Sequence, residues 1–346
     1  MIKRRNLDPS LISWIMTVTG LGPGIGEIFY VAPASSATSQ YRAQWQSMGV
    51  ELDHKIYTLP SLAYADMKTD RNDVMLLAPG KYTETASIDW TKSHTHVIGL
   101  GGPNLHQRYG RPNCLLFCDT AGVDYTVHLT GIFCQFHNFM IGNGHSTGSA
   151  IATNLSALGL AGYGNYFHRM GFQGVGSATQ AASAVCSSVE IMAGAGEVTF
   201  EDCLIGGNTY VTTRSSATSG QLLLTSTVAG VANGIFKNVL FLSRSAVAGC
   251  AMVHRNSQAA YDRTWVFDRC HFDNFNPGWA ANLTNVFSGE DQSPQTSNIT
   301  LKDCTAFGYT YWMNTNTGAG ADLQIRTNSP AVAALGGICL DASGVS

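Results

Sequence analysis

A six-residue pattern that begins at Phe136 recurs six times along this chain and constrains its fold more than any other feature. The copies are Phe136-His-Asn-Phe-Met-Ile, Phe167-His-Arg-Met-Gly-Phe, Phe200-Glu-Asp-Cys-Leu-Ile, Phe236-Lys-Asn-Val-Leu-Phe, Phe267-Asp-Arg-Cys-His-Phe and Leu301-Lys-Asp-Cys-Thr-Ala. Their starts lie 31, 33, 36, 31 and 34 residues apart. Repeats of this length mark architectures in which each unit buries its apolar face only against its neighbours.

The pattern also gives a geometry. Positions one, four and six are apolar in nearly every copy. On a flat strand, positions one and four point to opposite faces. Both stay inside if the chain turns a corner between them. Position three, Asn138, Arg169, Asp202, Asn238, Arg269 and Asp303, then has to supply the bend. Asn and Asp tolerate the left-handed backbone that such a bend needs, whereas Arg169 and Arg269 suit it less well. Position two is expected to face solvent. There His137, His168, Glu201, Lys237, Asp268 and Lys302 would stack from coil to coil, the last four with alternating charge. The expected fold is an all-β parallel β-helix, with further strands in Ala184 to Ile191, Gln221 to Thr225, Cys250 to Val253 and Val286-Phe287.

Composition agrees. Only 12% of the residues are charged, about half the usual share, and 37 of the 346 are glycine. Many small polar residues and few charges suit tight turns between strands better than exposed helices. A net charge of −3 gives no field to gather nucleic acid, and no apolar run approaches the ~20 residues that span a bilayer. Neither nucleic acid nor membrane is expected as a partner. Nine cysteines without a C-x-x-C spacing read as buried hydrophobes, which favours folding in a reducing cytoplasm.

Before the repeat stand Leu59-Pro-Ser-Leu-Ala-Tyr-Ala65, then Asn72-Asp-Val-Met-Leu-Leu-Ala-Pro-Gly-Lys-Tyr-Thr-Glu84, then Thr95-His-Val-Ile-Gly-Leu-Gly-Gly102. This order resembles the opening of right-handed β-helix proteins of the pectin-lyase-like class, with a capping helix, a D-x-[IVL]-x-[LV]-x-P-G-x-Y strand and a V-x-G-x-G corner, which implies a right-handed coil here. Phe29-Tyr-Val-Ala-Pro33 resembles the lead-in strand of β-helix proteins encoded by tailed bacteriophages. The expected layout is an arm over 1–26, a lead-in strand and capping helix over 27–70, the coil over 71–328 and a closing segment over 329–346. In the arm, Asp8 caps a short amphipathic helix that starts at Pro9 and ends at Gly20.

Chemistry is sparse. Glu201, Asp202, Asp268 and Asp303 are offset by Lys237, Arg269 and Lys302 on neighbouring coils, which makes a poor cation site. Asp268 with Asp273, and Glu290-Asp291, offer no reason to converge across a cleft as a glycosidase pair must. Gly144-His145-Ser146 falls short of a hydrolase G-H-G element. There is no G-x-S-x-G, and the run Gly20 to Gly26 lacks the lysine of a phosphate loop. His94-x-His96 has no evident third metal ligand. Tyr309-Thr-Tyr-Trp312 and Trp279 are expected to close the far end of the coil or to pack at a subunit contact rather than to bind sugar. No catalytic, cofactor or metal residue is therefore assigned.

The virion resemblance implies a structural protein that decorates the outside of a tailed-phage capsid, with the major capsid protein and two further copies of itself, as a homotrimer, as the expected partners. Such a protein would sit on the capsid surface after assembly in the host cytoplasm. Lys3, Arg4 and Arg5 with Leu11, Trp14 and Ile15 would dock the arm on the shell. The alternative is a tailspike or secreted polysaccharide-degrading enzyme, which in this fold usually adds a larger head and a C-terminal trimerisation domain.

Overall fold

The computed structural model describes residues 26–33, 39–47, 56–101, 114–118, 120–143, 156–175, 178–207, 220–225, 231–245, 250–255, 261–275, 283–288, 298–312 and 322–326. The six arm residues, Glu290, Asp291, Trp279 and the segment 329–346 lie outside them.

Among the described residues the strands form three long parallel sheets and one short parallel pair, Leu283–Asn285 with Tyr309–Tyr311. The sheet that carries Phe136 has 11 strands, the second has 8 and the third has 6 among the described residues. The chain visits the second, third and Phe136 sheets in turn. One coil is Gly80–Glu84, Ile88–Trp90 and Thr95–Gly99, and the next is Cys114–Cys118, Tyr125–Leu129 and Gln135–His137. Each coil lays one more strand on each sheet in parallel register, which is the expected right-handed β-helix.

The register places position one of every copy in a single column. Phe29, Met75, Val97, Phe136, Phe167, Phe200, Phe236, Phe267 and Leu301 are direct cross-strand neighbours. Five of these rings stack in sequence. Centroids are 5.4 Å apart for Phe136 and Phe167, 4.6 Å for Phe167 and Phe200, 5.1 Å for Phe200 and Phe236, and 4.7 Å for Phe236 and Phe267. Each such pair adds about 0.5–1.5 kcal/mol to what burial alone gives. Positions four and six are buried in every copy. Phe287 and Trp312 close onto Phe272 near the far end, so Tyr309 and Trp312 are core residues.

The corner is left-handed in all six copies. Asn138, Arg169, Asp202, Asn238, Arg269 and Asp303 have φ between 51 and 66°. The two arginines adopt it because their backbone is held from the next coil. Arg169 N–H donates to the Glu201 carbonyl at 3.0 Å and Arg269 N–H to that of Lys302 at 2.7 Å, as Asn138, Asp202 and Asn238 do to their own neighbours. A second left-handed corner lies three residues before the column residue of successive coils, at His94, Phe133, Gly164, Glu197 and Asn233. Gly99 has no side chain because a Cβ there would sit 2.3 Å from the Asn138 carbonyl oxygen of the next coil.

The entrance to the coil is built around the D-x-[IVL]-x-[LV]-x-P-G-x-Y segment. The Asp73 carboxylate is fully buried. It takes hydrogen bonds from the Glu27 and Lys68 amides at 2.9 and 2.7 Å and from the Arg71 guanidinium at 2.6 and 2.7 Å, so it joins the lead-in strand Ile28–Val31 to the first coil. The Tyr82 hydroxyl donates to the carbonyls of Val31 and Ala78. Counting helices in chain order, Ser39–Ser47 is α1 and Pro60–Asp66 is α2. Helix α2 covers the open end of the core with Ala63 and Tyr64, the latter against Trp90 at 4.4 Å. Its first turn has no side-chain cap of its own, since Leu59 occupies that position. Glu84, at the end of strand Gly80–Glu84, supplies the cap and accepts from Ser61 N–H at 3.0 Å and Ser61 Oγ–H at 2.8 Å.

Helix α1 lies on the opposite face of the same sheet. Its Trp45 meets Tyr30 at 5.1 Å and joins Ile28, Ile56, Val74, Leu76, Ala78 and Ile98 in a second, outer core.

Candidate functional site

The outer face of the Phe136 sheet collects most of the titratable side chains singled out by sequence, because position two of each copy points away from the inner core. The register runs His137, His168, Glu201, Lys237, Asp268 and Lys302. Lys302 is exposed, and His168, Glu201, Lys237 and Asp268 are half-buried. Lys302 Nζ lies 3.6 Å and Arg269 Nε 3.4 Å from the Asp268 carboxylate. The Tyr166 hydroxyl donates to Glu201 at 2.8 Å, and Asp202 accepts from Asn238 at 2.7 Å with His168 3.5 Å away. The charge alternation expected from the sequence is thus real in space: Glu201 and Asp202 have hydrogen-bond donors on neighbouring coils, and Asp268 is ion-paired with Lys302 of the next one.

His137 departs from the expectation that position two faces solvent. It is completely buried. Its register neighbour on one side is Ile98 of the outer core, and Gln135, Tyr166 and His168 surround it. His96 is equally buried. The His137 Nε2 sits 3.1 Å from Gln135 Oε1, and His96 Nε2 sits 3.4 Å from Asn72 Oδ1. With carbonyl oxygens as partners, each Nε2 carries the ring proton, so each Nδ1 is a bare acceptor without a partner among the described residues. Burial, then the neighbouring histidines, pulls His96 down to about 4 and His137 down to about 3. Both rings are neutral near pH 7, and nitrogens of that basicity are poor general bases there.

His94 and His96 do not share a face. His94 occupies the left-handed corner and pairs with Asp70 at 2.8 Å, while His96 points into the outer layer. No group of three His, Cys, Asp or Glu side chains among the described residues is placed to hold a metal ion. Asp268 and Asp273 lie on different sheets on either side of the corner. Burial raises the Asp273 carboxyl above its ordinary range.

A second polar cluster, on the third sheet, has no signature in the sequence. Glu190 is buried and accepts from the Tyr125 hydroxyl at 3.0 Å and the Thr225 hydroxyl at 2.6 Å. Burial raises its pKa, partly offset by those two bonds. The Tyr125 ring lies over Gly159, where any Cβ would be 2.6 Å from it, and stacks on His128 at 5.3 Å. These partners are 65 and 35 residues from Glu190, so only the coil brings them together. The cluster is a tie across successive coils.

Comparison with known proteins gives the fold and nothing finer. No family model and no curated protein matches the chain. Among solved structures it resembles the pectin methylesterase PemA from Erwinia chrysanthemi, with a TM-score of 0.54 and 14% identity over 91% of this chain and 92% of that one. It also resembles the pectin methylesterase from Yersinia enterocolitica, with a TM-score of 0.50 and 13% identity over 83% and 95% of the two chains. A protein of Geobacillus virus E2 superimposes more loosely, with a TM-score of 0.37, 10% identity and coverage of 77% and 56%. At these identities the likeness is one of architecture. No helix among the described residues is long and apolar enough to cross a membrane.

Proposed function

We propose that this chain is a structural virion protein that decorates and stabilises the outer surface of a tailed-phage capsid, bound to the major capsid protein as a homotrimer. The observation that carries the reading is the use made of the acids. Asp73, Glu84, Glu190, Glu201, Asp202 and Asp268 each take hydrogen bonds or ion pairs that tie one coil or helix to another. Carboxylates held this way stiffen a rod and are unavailable to a substrate. The arm over 1–26, with Lys3, Arg4, Arg5, Leu11, Trp14 and Ile15, supplies the charged and apolar groups for docking on a shell.

The test is capsid purification with and without the arm. The protein should co-purify with capsids in numbers near those of the major shell protein. Deletion of residues 1–19 should abolish binding and leave the coil folded by circular dichroism. Normal decoration by the truncated chain would refute the role given to the arm. The competing reading is a polysaccharide-degrading enzyme of the same fold. It predicts release of reducing ends or methanol from host polysaccharide or methylated pectin, lost in Asp268→Asn or Asp273→Asn. We expect no such release, and finding it would replace the structural reading.

A further inference from the structure

Position four of the pattern places two core cysteines against each other, and the proposed function makes no use of their thiol chemistry. Cys270 and Cys304 follow the left-handed corners of consecutive coils. The strands beyond them are paired His271 with Thr305 and Phe272 with Ala306, and those before them Phe267 with Leu301 and Asp268 with Lys302. Backbone hydrogen bonds clamp the pair on both sides, Thr305 N–H to the Cys270 carbonyl at 3.0 Å and Arg269 N–H to the Lys302 carbonyl at 2.7 Å. Direct neighbours on adjacent parallel strands are ~4.8 Å apart, inside the ~4.4–6.8 Å between α-carbons that a disulfide requires. Both thiols are free and fully buried, Cys270 donating to the Phe236 carbonyl at 3.4 Å and Cys304 to the Phe267 carbonyl at 3.2 Å. Cys203 stands in the same column, but the Val239 coil intervenes, so its distance to Cys270 is about two strand spacings, beyond the ~7 Å limit.

We propose that Cys270 and Cys304 form a two-thiol modification site that a small peroxide oxidises to a disulfide between consecutive coils. The neighbouring Cys270 lowers the Cys304 thiol from its ordinary range and burial raises that of Cys270, so Cys304 is the first of the two to lose its proton. The Cys304 thiolate attacks one oxygen of hydrogen peroxide. The O–O bond breaks, hydroxide leaves, and with the proton released by Cys304 it becomes water. Cys270 then attacks the resulting sulfenic sulfur, the S–O bond breaks, and the hydroxyl leaves as a second water with the Cys270 proton. Two thiols and one peroxide give one disulfide and two waters. Peroxide is small and uncharged, so local opening of these coils is enough to admit it.

The test is peptide mapping of the full chain after peroxide treatment. Trypsin cuts after Arg269, Lys302 and Arg326, so the disulfide would join the peptide 270–302 to the peptide 303–326. We expect that linked pair at low peroxide excess, its loss on reduction with dithiothreitol, and no link to the peptide that contains Cys203. In Cys270→Ser, Cys304 should accumulate as a sulfenic acid that dimedone traps. Sulfinic or sulfonic acid on either thiol of the wild-type chain without the link would overturn the proposal. So would both thiols remaining unmodified after exposed methionines have been oxidised.

Discussion

The entrance coils and the later coils share one interior and differ on the outside. From Met75 to Phe136 the inward column is backed by an outer core in which Val74, Leu76 and Ile98 lie with Trp45 of helix α1. His96 and His137 are buried on the same outer face. From Phe200 to Leu301 the same column continues inside, but the outward neighbours are Glu201, Lys237, Asp268 and Lys302. The inside of a coil is set by the side chain stacked above and below it. The outside is set by whether anything covers it.

Breaking the shared interior should have the largest effect. Phe200 is fully buried and stacks between Phe167 and Phe236. Phe200→Ala should cost about 4 kcal/mol in denaturant unfolding. A cost no greater than that of a surface change would show that the column is not what holds the coils together.

Acid should next separate the two regions. His96 and His137 have folded pKa values of about 4 and about 3, below the unfolded value near 6.5. Their contribution to stability is therefore complete above about pH 6.5 and declines as the pH falls toward the folded values, by on the order of 3 kcal/mol for each ring at pH 4. Amides of Thr95–Gly99 and Gln135–His137 should lose protection from hydrogen exchange in that window before those of Asn298–Lys302 do. Glu190, with its raised pKa, works in the opposite sense, since its contribution fades as the pH rises. Equal loss of protection in both regions would sink the distinction drawn from the outer core.

Smaller changes sharpen the picture. Arg169 holds a left-handed backbone that Asn adopts more readily. Arg169→Asn should therefore stabilise the protein by about 1 kcal/mol in thermal unfolding. A loss instead would mean that the arginine side chain has a role of its own. Least of all, Lys237→Glu should cost under ~1 kcal/mol at low ionic strength, because it lines up like charges with Glu201 and Asp268. That cost should vanish by about 0.5 M salt, and its persistence would point to packing rather than charge.

The inner coil was legible in the sequence because its rule is local. Three apolar positions and one bend repeat within six residues, and even the arginines obeyed once the next coil held their backbone. The outer layer was not legible. Helix α1 offers only Tyr41 and Trp45 as apolar anchors among polar neighbours. The second corner draws on His94, Phe133, Gly164, Glu197 and Asn233, which have no residue type in common. His137 occupies a position that is half-buried or exposed in the later copies and is buried where the sheet is covered. The Glu190 tie joins residues from separate coils, and no spacing in the sequence announces it.

The borrowed cap on helix α2 also bears on the order of events. The helix covers the start of the core, yet the carboxylate that finishes its first turn belongs to Glu84, later in the chain. The lead-in strand waits in the same way, since Ile28–Val31 pairs with Asp73–Leu77 and takes its buried anchor from Asp73. During synthesis, then, the lead-in strand has no partner until residues 73–77 have emerged, and the first turn of the helix has no cap until Glu84 has. Once that residue has emerged, the lid, the lead-in strand and the first strands lock together, and every later coil has a finished template to wind upon.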